Sequence, residues 1–147
     1  MSAPFAIDAA TGRLCFPDLP LELRPQMPEA DFLSATAALN RDNLGFNAGW
    51  QRYAIRQVIP GDRKLGLFVI FLHERLVKLS FAWAPKDETW DDWSEATEQA
   101  RLKEYRQLLD AQLGPTNMMP WGKASVVLDT KSGGTDIWID YSQQLDA

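Results

Sequence analysis

From residue 50 onward the apolar positions of the chain alternate. In WQRYAIRQVI (50–59) Tyr53 and Ile55 fall on one side and Arg52 and Arg56 on the other, the period of a half-buried strand. PGDRK (60–64) has the composition of a turn. LFVIFL (67–72) is apolar on both faces, as a central strand covered on both sides would be. HER (73–75) makes a hairpin tip, and LVKLSFAW (76–83) alternates again with Val77, Leu79, Phe81 and Trp83 pointing one way. Short connections make these three strands antiparallel neighbours.

The flanking segments give the other elements. RLCF (13–16) and LELR (21–24) are short strands joined by the turn PDLP. MPEADFLSATAALN (27–40) has a helical period, with Pro28 at its first position, acids in its first turn, and Phe32, Leu33, Thr36 and Leu39 on one face. NRDNLGFNAG (40–49) has the Asn and Gly content of a loop. A long helix is predicted from Trp90 to Leu113, with a core stripe of Leu102, Tyr105, Leu109 and Leu113, and Gly114 and Pro115 to stop it. WGKASVVLD (121–129) and DIWIDY (136–141) close the chain as a hairpin around TKSGGT, with Ile137, Ile139 and Tyr141 facing the helices and Trp138 facing out.

The predicted order ββαβββαββ describes one α+β domain over residues 1–147. It is an antiparallel sheet of five to seven strands with two helices packed on one face. Helices on one face leave the second apolar side of 67–72 uncovered. A homodimer through the open sheet face would cover it, as would a curled sheet.

Net charge alters this picture through its distribution. The chain of 147 residues carries −5 overall, yet residues 87–98 hold six acids and no base, and the remainder holds 15 bases against 14 acids. A nucleic-acid partner is disfavoured, because such binders show a basic surplus. The longest apolar run, LGLFVIFL (65–72), is far too short to span a bilayer, so no membrane association is expected. The opening MSAPFAIDAATG lacks the pattern of a signal peptide, and the single cysteine, Cys15, has no intramolecular disulfide partner. A cytoplasmic location is the expectation.

Candidate chemistry is sparse. His73 and Cys15 are the only imidazole and thiol, with no ligand spacing, so neither a metal site nor a cofactor is expected. The nucleophile, zincin and phosphate-loop motifs are absent, and KSGG (131–134) lies between strands, without a helix N-terminus. Asp91 and Glu95 are four apart and could share a helix face, but no second carboxylate motif accompanies them. No catalytic residues are assigned, and the chain is not expected to be an enzyme.

What remains is TWDDWSEATEQA (89–100). Acids at a helix start interact favourably with its dipole, and Thr89 with Asp92 approximates a capping box. That account leaves out Asp87, Glu88 and Glu98. Helical projection turns Trp93 away from the core stripe, so it either packs on a neighbouring loop or stands exposed in an acidic ring. The second arrangement is a recognition surface: Trp90, Asp91, Asp92, Trp93, Glu95 and Glu98 would bind a basic protein partner. A basic stripe of Arg52, Arg56, Lys78 and Lys123, with Ser125, is a further candidate surface. The alternative is a small-molecule-binding module with an apolar pocket between sheet and helices, near Trp50, Tyr53, Trp83 and Trp121.

W-D-D-W-S-E-x-x-E (90–98), L-x-x-x-L-G (109–114) and W-G-x-A-x-V-V-L-D-x-K-S-G-G-x-x-I-W-I-x-Y (121–141) together resemble a pattern in small, mostly uncharacterised bacterial α+β proteins, some similar to toxin-immunity proteins. The resemblance implies a soluble bacterial domain without catalytic residues and an immunity-type role.

Overall fold

A computed structural model describes residues 3–115, 118–129 and 133–141, apart from the side chain of Trp90. Strands β1 (Ala6–Ile7), β2 (Leu14–Phe16) and β3 (Leu21–Leu23) come first, then helix α1 (Glu29–Ala35). Strands β4 (Arg41–Asn47), β5 (Trp50–Ile59), β6 (Arg63–Leu72) and β7 (Arg75–Pro85) follow. A single 3-10 turn at Trp90–Asp92 precedes helix α2 (Glu95–Leu113), and β8 (Met118–Met119), β9 (Gly122–Leu128) and β10 (Thr135–Asp140) complete the chain. The class is α+β, as expected, but the strands make two antiparallel sheets instead of one. A three-stranded sheet has the order β1-β2-β3, and a seven-stranded sheet has the order β4-β5-β6-β7-β10-β9-β8.

Register explains the core. Ile55, Leu67, Phe81 and Ile137 lie opposite one another across four strands, and each is at most 2% exposed. On this inner face the small sheet packs through Phe5 and Phe16 against Phe81, with centroids 5.0 and 5.3 Å away. α2 packs there through Tyr105 on Trp83 at 4.2 Å, and α1 through Phe32 on Phe71 at 5.2 Å. Both helices and the small sheet therefore share one face. On the other face the segment leading into α2 reaches the Lys64 end, where Lys64 donates to the Glu88 carbonyl, and beyond it Phe68, Ile70, Leu72 and Trp138 are half-buried and Trp50, Val58 and Val127 exposed. No described helix is long and apolar enough to cross a membrane.

Three expectations are corrected. The segment 40–49 is largely strand: β4 pairs with β5 around an Ala48–Gly49 turn in which both residues have positive φ. Its solvent exposure hides any alternation, and the register shift at Asn43/Gly45 leaves Leu44 as an extra, bulged residue. α1 ends at Ala35, not at 40, because Arg41 donates to the Leu33 carbonyl and to Thr36 Oγ1, while Thr36 donates to the Phe32 carbonyl. Those bonds satisfy the last carbonyls and terminate the helix. α2 starts at Glu95, not at Trp90, because Ser94 is the residue whose side chain accepts from a first-turn N–H, that of Thr97 at 3.1 Å.

Candidate functional site

The sheet splits at one end, and the split makes a cavity. β10 pairs with β7 only from Ile137 opposite Phe81, so Trp83, two residues further along β7, lacks a strand partner on that side. The Tyr105 hydroxyl substitutes for one. It accepts from the Trp83 N–H at 3.0 Å and donates to the Trp83 carbonyl at 2.8 Å. Burial raises the Tyr105 phenol well above its ordinary value, so it stays a neutral hydroxyl able to do both. Around this gap lies a cavity of about 490 Å³. β6 and β7 contribute Lys64, Gly66, Ala82 and Ala84, the start of β10 contributes Gly134, Thr135 and Asp136, and α2 contributes Glu98 and Arg101. Glu88, Thr89 and Trp93 border it from the segment joining β7 to α2.

A buried ion network holds that segment down. Arg101 pairs with Glu88 and, at 2.8 Å, with Glu98, whose other carboxylate oxygen accepts from the Thr135 hydroxyl at 2.9 Å. Burial alone would lower the Arg101 pKa, but the bond to Glu88 and the two carboxylate charges outweigh it. Lys64 Nζ donates to the Glu88 carbonyl at 2.6 Å. Trp93 then closes the wall: its Nε1 donates to the Gly133 carbonyl at 2.9 Å. Gly133 is required, since its φ is +77° and a Cβ there would meet the indole at 2.8 Å.

Asp136 stands differently from its neighbours. Its carboxyl is pushed above the usual carboxylate range, first by burial and then by the charges of Glu98 and Asp129. No hydrogen-bond or ion-pair partner meets it among the described residues.

The acidic segment is thus partly used up by the fold. Asp87, Asp91, Asp92 and Glu95 are exposed, and Trp93 is 47% exposed although it packs on the β9–β10 loop. Asp92 also accepts from the Thr89 N–H at 2.9 Å, which is half of a capping box. Glu98 is only 4% exposed and is held by Arg101 and Thr135, so it does not belong to a surface rim. Asp91 and Glu95 are not neighbours on one helix face, because the α-helix starts at Glu95. The side chain of Trp90 lies outside the described residues, as do Lys131 and Ser132 of KSGG.

The four residues of the alternative pocket do not converge. Tyr53 is buried against Phe32 and Phe71, its hydroxyl bonded to Glu29 and its pKa pushed up to about 12, chiefly by burial. Trp121 is buried on Tyr141 and donates to the Ala9 carbonyl. Trp50 is exposed on the outer face, and only Trp83 borders the cavity. Cys15 is a half-buried thiol whose pKa is raised by burial, which disfavours the nucleophilic thiolate. No group of three or more potential metal ligands occurs among the described residues.

The basic stripe does assemble. Arg52, Ile70, Lys78, Asp140 and Lys123 form one row across the outer face, with Ser125 beside Trp138 in the next. Lys78 lies 3.9 Å from Asp140 and over the Trp138 ring, while Arg56 lies toward the cavity end and pairs with Asp42. No protein-family model matches the chain, and no curated protein or solved structure shows significant similarity to it.

Proposed function

We propose that this chain is a non-enzymatic protein-interaction domain that docks a basic partner across the outer face of the seven-stranded sheet and its acidic rim. The observation that carries this reading is the uncovered face itself, apolar through Phe68, Ile70, Leu72, Trp138 and Val127. Seven strands about 4.8 Å apart and roughly eight residues long present on the order of 800 Å². A stable complex buries about that much on each partner. Asp87, Asp91 and Glu95 are exposed in the segment bordering the cavity and have no ion-pair partner among the described residues, and Trp93 beside them supplies a half-exposed aromatic anchor. Attraction by these charges speeds encounter and is screened over ~8 Å at physiological salt. The resemblance in the last third extends the reading to an immunity-type role in the cytoplasm, with a toxin as the basic partner.

Affinity capture at low salt tests this, comparing wild type with Asp87→Lys/Asp91→Lys/Glu95→Lys and with Phe68→Lys. Asp92 and Glu98 are spared because they hold the fold. A basic protein retained by wild type and lost from both variants supports the reading, and a partner retained equally by all three removes it.

A second reading, in which the partner is another copy, is favoured by the polarity of the face. The row Arg52–Ile70–Lys78–Asp140–Lys123 lies on the half of the face away from the acidic segment, with the Trp50–Leu72 row beyond it. A two-fold axis in the plane of the sheet and across its strands would bring the basic end of one copy onto the acidic end of the other. Sedimentation of the chain alone separates the two readings. A dimer dispersed by Lys78→Glu/Lys123→Glu would identify the second copy, and a monomer would leave the heterologous partner.

A further inference from the structure

We propose that the cavity in the split between β7 and β10 binds a small zwitterion of dipeptide type, its ammonium group on Asp136 and its carboxylate on Lys64. The site shares Trp93 and one end of the outer sheet face with the docking surface, but the inference starts from the pairing of charges around the cavity. Arg101 is matched by Glu88 and Glu98, and Arg56 by Asp42. Two charged side chains on the wall have no ion-pair partner among the described residues, and they are of opposite sign. Lys64 has only the Glu88 carbonyl, and Asp136 has no bond at all.

They also stand apart. Lys64 is on β6 and Asp136 on β10, with β7 between, so about 10 Å of sheet separates their strands. Lys64 lies opposite Ala84, two residues along β7 from Ala82, which adds about 7 Å along the strand direction. Between the two charges the floor is Gly66 and Ala82, where the sheet presents almost no side chain. A ligand backbone can therefore lie flat in the trough. The Trp93 indole gives it an apolar wall, with its polar edge already bonded to Gly133.

The chemistry at each end selects the guest. An ammonium group at Asp136 would be favoured additionally by the nearby charges of Glu98 and Asp129, the same charges that disfavour ionised Asp136 alone. A carboxylate at Lys64 would complete a cation whose single hydrogen bond is to a neutral carbonyl. A single amino acid carries both groups on one carbon and reaches only one end. A dipeptide separates them by a peptide unit and its flanking carbons, which suits the span. A volume of about 490 Å³ is in the range of small-molecule sites.

The test is a titration followed by the indole N–H signal of Trp93 in ¹⁵N-labelled protein, assigned with Trp93→Phe. The probes are alanyl-alanine, its N-acetyl form, which lacks the ammonium group, and its C-terminal amide, which lacks the carboxylate. The expected result is a saturable shift with the free dipeptide and at least ~10-fold weaker binding of each blocked form. Asp136→Asn should erase the penalty for acetylation alone, and Lys64→Met the penalty for amidation alone. No saturable shift by ~10 mM, corresponding to binding weaker than about 3 kcal/mol, overturns the proposal. So does equal binding of all three probes, or a shift that neither substitution alters.

Discussion

Replacing Arg101 by Met probes the ion network that fastens the acidic segment to the fold. The Arg101 side chain is 18% exposed, and its partners Glu98 and Glu88 are 6% and 21% exposed. Met keeps most of the aliphatic packing but strands the Glu98 carboxylate in the interior with one hydroxyl, that of Thr135, as its remaining donor. Breaking a buried pair by removing one partner costs about 3–5 kcal/mol. Glu88 is less enclosed and borders an open cavity, so the lower end, about 3 kcal/mol, is the expected loss. For a chain of this length that is on the order of 10 °C in Tm. Urea denaturation at pH 7 measures it, with an unchanged slope confirming that the native fold is retained. Glu98→Leu/Arg101→Met should lose less than the sum of the two single changes, because it leaves no buried charge at position 98. A loss below about 0.5 kcal/mol for Arg101→Met, or strict additivity in the double variant, would refute the network's role.

The other predictions concern single groups. Tyr105→Phe removes the partner of both the Trp83 N–H and its carbonyl, and should cost about 1–3 kcal/mol in chemical denaturation. The β6–β7 turn places His73 and Glu74 at φ 49° and 68°, so Glu74→Gly should stabilise the chain by roughly 1 kcal/mol in thermal melts. Asp136 has a raised pKa, so the folded chain holds that proton more tightly than the unfolded chain does. Its charged form therefore costs stability at neutral pH, and the cost fades as pH falls through the raised value toward the ordinary 3.8. Asp136→Asn should accordingly raise Tm at pH 7 and lose that advantage below about pH 4.

Much of the fold was legible because burial follows period. Strands 50–59 and 76–83, the helical stripe of Tyr105, Leu109 and Leu113, and the inward set Ile137, Ile139 and Tyr141 come from alternation or helical spacing, and strand 67–72 from an uninterrupted apolar run between turn signals. β4 was not legible, since an exposed edge strand with a bulge has no buried face to impose a pattern. The start of α2 was blurred by acids that suit any helix N-terminus. Ser94 decides it, through a hydrogen bond that composition does not reveal. For Trp93 the sequence leaves open a loop contact or an exposed position, and the residue combines the two, 47% exposed with its indole N–H on the Gly133 carbonyl, whereas Glu98 reads as one of the surface acids. Its Arg101 partner lies three residues on, a spacing that marks a helical ion pair. Lys64 and Asp136 were beyond sequence reading altogether. They share a cavity through sheet order, which carries β10 next to β7 over a connection that includes a helix and two strands.

Site-specific photocrosslinking in cells of the source organism tests whether the outer sheet face receives a partner, as proposed. A benzophenone side chain would replace Phe68 on the outer face, with Lys103 on the exposed side of α2 as the control position. A discrete crosslinked protein is expected from position 68, basic on identification or a second copy of the chain, and none from position 103. Crosslinks from position 103 alone, or from neither position, would contradict the proposal.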